Sequence, residues 1–223
     1  MCAVSRLIKA RDPEAITVFI GPCIAKKSEV VEQQIPGNAD YVLTYSEIRA
    51  IMHARNVELE EDDNSYQESS IYGKRFANSG GVTEAVLRRL SPDHSKEAMH
   101  EIAECGVRGE EGIKEFTVPY KGMDINVCVA SGLANARTVM ERVKNGEANY
   151  HLIEVMACRR GCIMGGGQPV RAGDRTKAAR AKGLYNADNT MLIKKSDENP
   201  MVLELYQGLL KGKEHKLLHN DFY

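Results

Sequence analysis

The sequence predicts an α/β fold, with a mostly parallel sheet flanked by helices. Three observations predict it: short β-branched runs, amphipathic stretches of helical period between them, and Gly or Pro breaks where one gives way to the other. In chain order, Ala3 to Lys9 reads as a helix end, and Ile16-Thr17-Val18-Phe19-Ile20 as a buried strand that breaks at Gly21-Pro22. Thr44-Tyr45-Ser46-Glu47 has the pattern of a capping box and opens a helix carrying Ile48, Ile51 and Met52. Residues 58–68 are acidic and polar and read as a surface loop. Ser79-Gly80-Gly81 precedes a helix from Val82 to Leu90 whose expected inner face is Val82, Ala85, Val86 and Leu90. Ile125, Val127 and Val129 alternate as a strand. Gly132 then opens a helix from Ala134 to Lys144, stopped by Asn145-Gly146. Tyr150 to Met156 is a third strand, and a last helix follows Asn199-Pro200.

Composition narrows the function classes. The chain has 223 residues, 43% hydrophobic and 27% charged, with a formal net charge of −1. So small a charge gives no general electrostatic basis for binding nucleic acid or an anionic membrane. No apolar run approaches the roughly 20 residues of a spanning helix. Met1-Cys2-Ala3-Val4-Ser5-Arg6 does not resemble a secretory signal, so a cytoplasmic, reducing location is expected. Six cysteines are then an oddity, because disulfides are the less favoured use for thiols there. Buried small hydrophobes, catalytic thiols and metal ligands remain.

Two loops carry the chemistry. In Glu154-Val155-Met156-Ala157-Cys158-Arg159-Arg160-Gly161-Cys162-Ile163-Met164-Gly165-Gly166-Gly167-Gln168-Pro169, two cysteines four apart share a face if the turn is helical, so both thiolates can reach one inorganic object. Arg159 and Arg160 favour thiolate. The glycine triplet signals a backbone in close approach to something. Two structural cysteines beside a flexible turn is the competing reading. In Gly21-Pro22-Cys23-Ile24-Ala25-Lys26-Lys27-Ser28-Glu29, a thiol precedes an ammonium by three residues, at the end of a strand where open α/β sheets place ligands. The competing reading there is an ordinary turn with a solvated lysine pair.

Both loops resemble signature motifs of the iron-iron (FeFe) hydrogenases. Pro22, Cys23, Lys26 and Glu29 match Pro-Cys-x-x-Lys-x-x-Glu. Glu154, Met156, Cys158, Cys162, Gly165, Gly166, Gly167, Gln168 and Pro169 match Glu-x-Met-x-Cys-x-x-x-Cys-x-x-Gly-Gly-Gly-Gln-Pro. Phe76-Ala77-Asn78-Ser79-Gly80-Gly81-Val82-Thr83-Glu84-Ala85 resembles the family's Phe-Gly-x-x-Gly-Gly-Val-x-Glu-Ala segment, and Gly132-Leu133-Ala134-Asn135-Ala136 its Gly-Leu-x-Asn-Ala turn. His215 to His219 resembles a tail that some members carry as a separate small subunit. The resemblance implies an incomplete two-lobed iron hydrogenase-like fold, with residues 1–184 bearing the cluster loops and 185–223 a small-subunit-like tail packed on them.

The implied cofactor is the H-cluster, a 4Fe-4S cubane joined through one thiolate to a di-iron unit with CO and cyanide ligands. By motif match, Cys23 and Cys158 are cubane ligands and Cys162 is the bridging thiolate. Lys26 donates to a cyanide, and Glu29 orients Lys26 or the loop. Met156 and Phe76 are pocket walls, and Pro22, Gly166 and Gln168 complete the cofactor-binding set. The implied reaction is reversible H₂ oxidation and proton reduction, with H₂ and protons as reactants and ferredoxin-like modules as electron donors.

The sequence departs from the family's pattern in several places. The family's first loop, Thr-Ser-Cys-Cys-Pro-x-Trp, is absent, as are the preceding lobe and the ferredoxin-like modules. The chain therefore reads as a C-terminal part of a longer protein, inactive alone, with its cofactor absent or incomplete and non-native self-association a risk at its uncovered apolar surface. Gly21 stands where the best catalysts carry methionine, which is expected to loosen the pocket and resembles the sensory branch. A hydrogenase-like Fe–S protein for H₂ or redox sensing or cluster assembly, and a simple zinc or mononuclear iron site, are the other functions weighed. Of the remaining residues, Cys128 reads as a buried inert thiol, Cys105 as a spare one, and Arg171, Arg175, Lys177, Arg180 and Lys182 as a solvated helix face. His215 and His219 are read as packing residues of the tail, with zinc as the alternative.

Overall fold

The computed structural model describes residues 1–32, 36–58, 71–93, 96–105, 107, 112–159, 161–169, 174–193 and 195–219. In chain order the elements are α1 (Cys2–Arg11), β1 (Val18–Gly21), α2 (Ala25–Val30), β2 (Tyr41–Thr44) and α3 (Tyr45–Ala54). Next come α4 (Ile71–Arg75), α5 (Gly81–Leu90), α6 (Lys96–Glu104), β3 (Ile113–Tyr120), β4 (Met123–Ser131) and α7 (Leu133–Lys144). The chain ends with β5 (Leu152–Met156), α8 (Asp174–Thr190), α9 (Pro200–Gln207) and α10 (Glu214–Leu218). The expected acidic loop lies outside the described residues, apart from Glu58. The chain divides into two compact units, the first made of residues 1–68, 165–171 and 197–223, and the second of residues 69–164 and 172–196.

In the first unit β1 and β2 pair in parallel, from Val18 opposite Tyr41 to Gly21 opposite Thr44. A polar knot ties α1 to this ribbon. Asp40 accepts from the Thr17 amide at 2.7 Å, the Thr17 hydroxyl at 2.9 Å and Lys9 Nζ at 2.8 Å. The predicted capping box is formed: Thr44 Oγ1 accepts from the Glu47 amide at 3.3 Å, and the Glu47 carboxylate accepts from the Thr44 amide at 2.8 Å. Asn199 caps α9 through the Met201 amide at 3.0 Å, with Pro200 at the first helical position. The strand expected to be buried is not. Val18 and Ile20 are about half exposed, because β1 has one strand neighbour and parallel strands are covered on both faces only within larger sheets.

Two of these carboxylates give the first unit a defined acid response. The Lys9 ammonium, with both donors of Thr17, holds Asp40 at about 2, and the Thr44 amide, Lys27 and the Thr44 hydroxyl hold Glu47 at about 2. The ordinary values are 3.8 and 4.5, so the folded chain binds these protons less tightly than the unfolded chain. The contribution is complete above the ordinary values and disappears as pH falls toward 2. Denaturant midpoints measured between pH 6 and pH 2 are expected to fall through this window, and to fall less steeply in Asp40→Asn.

In the second unit β3 and β4 form an antiparallel hairpin, and β5 lies parallel to β4, in the order β3-β4-β5. Thus among the described residues two of the three strand pairings are parallel, as in the predicted mostly parallel sheet. The sequence reading missed β3. Its local signal is Lys121-Gly122, both at positive φ (49° and 79°), the geometry of a two-residue hairpin turn. Val127, Cys128, Val129 and Ala130 are fully buried, with Ala136 and Val139 of α7 among the core residues around them. Burial pushes the thiols of Cys128 and Cys105 up, which keeps them protonated and unreactive.

Helix α5 corrects the expectation for its inner face. Val82 and Leu90 are partly exposed, whereas Thr83, Glu84, Leu87 and Arg88 are buried with Ala85. Charge pairing explains the reversal. Glu84 accepts from Arg75 and Arg88 at 2.6 Å each, and Arg88 grips Asp188 of α8 with two bonds of 2.7 and 2.8 Å. The Arg75 guanidinium lies 4.5 Å from the ring centre of Tyr185. Among the described contacts two cations meet two anions, so the helix can bury its polar face against α4 and α8.

Candidate metal centre

The boundary between the two units falls inside the cysteine-glycine segment, between Met164 and Gly165. The second unit therefore holds Met156, Cys158 and Cys162, and the first holds Pro22, Cys23, Lys26, Glu29, Gly166 and Gln168.

In the second unit, β5 delivers Met156 to a turn, and the Gly132 amide donates to the Met156 carbonyl at 2.7 Å. The segment is not one helical face, as the four-residue spacing suggested. Ala157 to Arg159 form a bend and turn, the Gly161 amide donates to the Cys158 carbonyl at 3.1 Å, and a short 3₁₀ turn spans Cys162–Met164. Gly161 has φ of +84°, and a Cβ there would stand 2.4 Å from the Ala77 carbonyl oxygen. The cysteine turn is therefore seated flush on the Ala77–Ser79 backbone, and the Ile163 amide donates to the same Ala77 carbonyl at 3.3 Å.

Three residues whose roles the sequence reading missed build this seat. Buried Glu154 accepts from the amides of Gly80 and Thr83 at 2.8 Å each, pinning the turn that leads into α5. Arg180 donates to the Ile163 carbonyl at 2.8 Å. It is half-buried and engaged, which corrects its reading as part of a solvated face. Asn78 is buried beside Gly161. Only Glu154 had a sequence signal, an acid in the middle of an apolar strand. Cys158 is exposed, Cys162 and Met156 are half-buried, and Phe76 is 43% exposed. Arg160 and Arg171 lie outside the described residues.

In the first unit the glycines press against the other loop. The Gly167 amide donates to the Pro22 carbonyl at 2.9 Å, and the Gly167 carbonyl accepts from the Ser46 amide at 3.0 Å and its hydroxyl at 3.1 Å. A Cβ on Gly167 would lie 2.7 Å from the Thr44 side chain, and one on Gly166 3.0 Å from Ile24. The close approach that the triplet implied is thus made to protein, at the Pro22 and Thr44 ends of the strands. The lysines are not a solvated pair. Lys26 Nζ is paired with the Glu29 carboxylate, while Lys27 meets Glu47 at 2.9 Å and the Val42 carbonyl at 3.2 Å. The space beside Gly21 is filled rather than loose, since a Cβ there would meet the Phe19 ring at 2.7 Å.

None of the six cysteines is in a disulfide. Among the described residues, no group of three or more His, Cys, Asp or Glu has the arrangement to hold a metal ion. The donor chemistry nevertheless fits an iron–sulfur centre. The Cys158 and Cys162 thiols on one turn are soft ligands, and the Asn78 and Ser79 residues against which Gly161 packs carry buried polar atoms with no partner among the described residues.

The family model for the iron only hydrogenase large subunit, C-terminal domain, matches residues 1–166. The chain belongs to this iron hydrogenase family. A second model, for the iron hydrogenase small subunit, matches residues 174–223 of the same hydrogenase-family chain. The chain is 34% identical to the NADP-reducing hydrogenase subunit HndD of Solidesulfovibrio fructosivorans, covering 93% of this chain and 38% of that protein. It is also 34% identical to iron hydrogenase 1 of Clostridium pasteurianum, covering 95% of this chain and 40% of that protein. A different kind of relative, cytosolic iron-sulfur assembly component 3 of Mus musculus, is 27% identical over 92% of this chain and 47% of its own length. The chain thus spans about two-fifths to one-half of these relatives. Among solved structures, the apo FeFe-hydrogenase of Chlamydomonas reinhardtii superposes with a TM-score of 0.69 at 27% identity, over 98% of this chain and 66% of that one. Among the described residues, no helix is long and apolar enough to cross a membrane.

Proposed function

We propose that this chain supplies Cys23, Cys158 and Cys162 to the H-cluster of an iron-iron hydrogenase that interconverts H₂ with protons and electrons, and that the chain by itself does not turn over. The observation that carries the reading is the Cys158–Cys162 turn, locked on the Ala77–Ser79 backbone at Gly161 and bordered by unpartnered buried polar atoms. When bound, the di-iron unit supplies the heterolysis of H₂. The protein's part is ligation and environment. Cys23 and Cys158 would hold the cubane, and Cys162 would supply the thiolate that joins it to the di-iron unit. Lys26 offers its ammonium to a cyanide, and its pairing with Glu29 supports an orienting role for that carboxylate. Met156, Phe76, Pro22, Gly166 and Gln168 shape and dry the pocket. Residues 1–184 carry the loops and 185–223 the small-subunit-like tail. Reducing equivalents come from ferredoxin-like modules.

A second reading, an Fe–S protein for sensing or cluster assembly without turnover, is favoured by the likeness to the iron-sulfur assembly component. Infrared spectroscopy separates the two. In the full-length protein matured with its di-iron unit, bands of metal-bound CO and cyanide are expected, and Cys162→Ser is expected to eliminate them. Absence of the bands in matured wild type assigns the chain to the second reading. Hydrogen evolution from reduced methyl viologen by the isolated chain, at rates typical of intact enzymes, would contradict its expected inactivity.

A further inference from the structure

Helix α2, which carries Lys26 and Glu29, has little of its own to hold it in place. It is six residues long, has no side-chain cap and buries none of its residues. A helix this short does not persist alone, and no buried apolar face compensates. Polar ties set its place. Asn38, 8% exposed, donates from Nδ2 to the Glu29 carbonyl at 2.6 Å, a carbonyl that also closes a turn with the Glu32 amide at 3.2 Å. Asn38 is itself fixed, because its Oδ1 accepts from the Ala39 amide at 2.9 Å and its carbonyl from Lys9 Nζ at 3.0 Å. One residue after Lys26, Lys27 Nζ reaches the carbonyl of buried Val42 on β2 at 3.2 Å and the Glu47 carboxylate of the capping box at 2.9 Å. So α2 is fastened at its last turn and along its side to one frame, the segment that runs from Asn38 through β2 to the start of α3. Neither Asn38 nor Lys27 is a fixed position of the Pro-Cys-x-x-Lys-x-x-Glu pattern, so the motif does not reveal them.

We propose that Asn38 and Lys27 are positioning residues for Lys26. By fixing α2 to the β2–α3 frame they hold the Lys26 ammonium and its Glu29 partner in one place, three residues beyond Cys23; this rests on the cyanide-facing role given to Lys26 above. A lysine ammonium sits on a flexible four-carbon stem, so its direction is only as definite as the backbone beneath it and the carboxylate beside it. Asn38 steadies the backbone of the residue whose carboxylate pairs with Lys26, and Lys27 steadies the helix one residue further on. Both act through Lys26 and neither is a ligand. Their leverage comes from position, because a small misplacement of a donor costs most of its hydrogen bond.

Hydrogen exchange of the full chain reads the fastening directly. Asn38→Ala and Lys27→Met are each expected to speed exchange in a peptide covering residues 23–31 about fivefold, the factor for one lost hydrogen bond. Lys27→Arg, which keeps the charge and the donors, is expected to keep the wild-type rate. Peptides covering β1 and the β3–β4 hairpin are expected to be unchanged in all three. Equal acceleration of β1 would assign these residues to general stability, and an α2 peptide that ignores both losses would show no fastening; either result overturns the proposal. Infrared spectra of the full-length protein, matured with its di-iron unit, read the consequence at Lys26. The cyanide bands are expected to shift in Asn38→Ala and Lys27→Met and to keep their wild-type position in Lys27→Arg, because a charged donor polarises the group that accepts from it. Cyanide bands that stay in place in both loss variants overturn this proposal alone. Absence of the bands from the matured wild type overturns the role of Lys26 and this proposal with it.

Discussion

Replacing Glu84 by alanine is expected to destabilise the second unit by about 3–5 kcal/mol, the cost of leaving buried charge without its partner. Glu84 is the only carboxylate that the described contacts place between Arg75 and Arg88, accepting from each at 2.6 Å with all three side chains at most 4% exposed. Without it, Asp188 still neutralises Arg88, but among the described residues the Arg75 guanidinium keeps only the Tyr185 ring. Removing both sides of the network should cost far less, since a buried ion pair adds little over an apolar replacement of similar volume. The measurement is denaturant unfolding of Glu84→Ala beside a variant with Arg75→Met, Glu84→Leu, Arg88→Met and Asp188→Leu, which removes all four charges. If Glu84→Ala loses less than 1 kcal/mol, the four charges are not a closed buried network.

The second large effect is expected at Gly161. Gly161→Ala places a methyl group 2.4 Å from the Ala77 carbonyl oxygen, and in a left-handed conformation that already costs an L-residue about 1–2 kcal/mol. The opposing atoms are backbone, so the turn itself must lift from its seat and carry Cys158 and Cys162 with it. Iron retention after anaerobic reconstitution is expected to fall at least about tenfold, since 1.4 kcal/mol is already a factor of ten. Gly146→Ala is the matched control. Its φ is +73°, but no atom lies within 4 Å of the added Cβ, so it carries the left-handed cost without the clash. Equal losses in the two variants would refute the seat.

Much of the architecture is legible locally. The Thr44–Glu47 capping box, the Asn199-Pro200 helix start, the Asn145-Gly146 stop and the alternating strand around Val127 depend on neighbours in sequence, and each forms as read. The failures have a common cause. The apolar pattern of α5 points to Val82 and Leu90, but partners from α4 and α8 bring opposite charges to Glu84 and Arg88, so the polar face is buried instead. The β-branched run of β1 reads as buried, yet how many strands flank it is not written in the run itself. Arg180 looks like one basic residue in a solvated series until the Ile163 carbonyl, seventeen residues away, comes within 2.8 Å.

By itself, then, the sequence determined the chemistry available to this protein. It set the family, the thiols and the Lys26 ammonium, because motif matches depend on residue identity and spacing along the chain. The tertiary structure alone decided what those groups lean on. Glu154 pins the turn before α5, Gly161 meets Ala77, and Gly167 meets Pro22 and Thr44, while the buried Asn78 side chain has no hydrogen-bond partner among the described residues. The physical reason is range: a cap or a strand pattern is settled within a few residues, whereas a buried carboxylate and a glycine without room for a methyl group are settled by backbone tens of residues away.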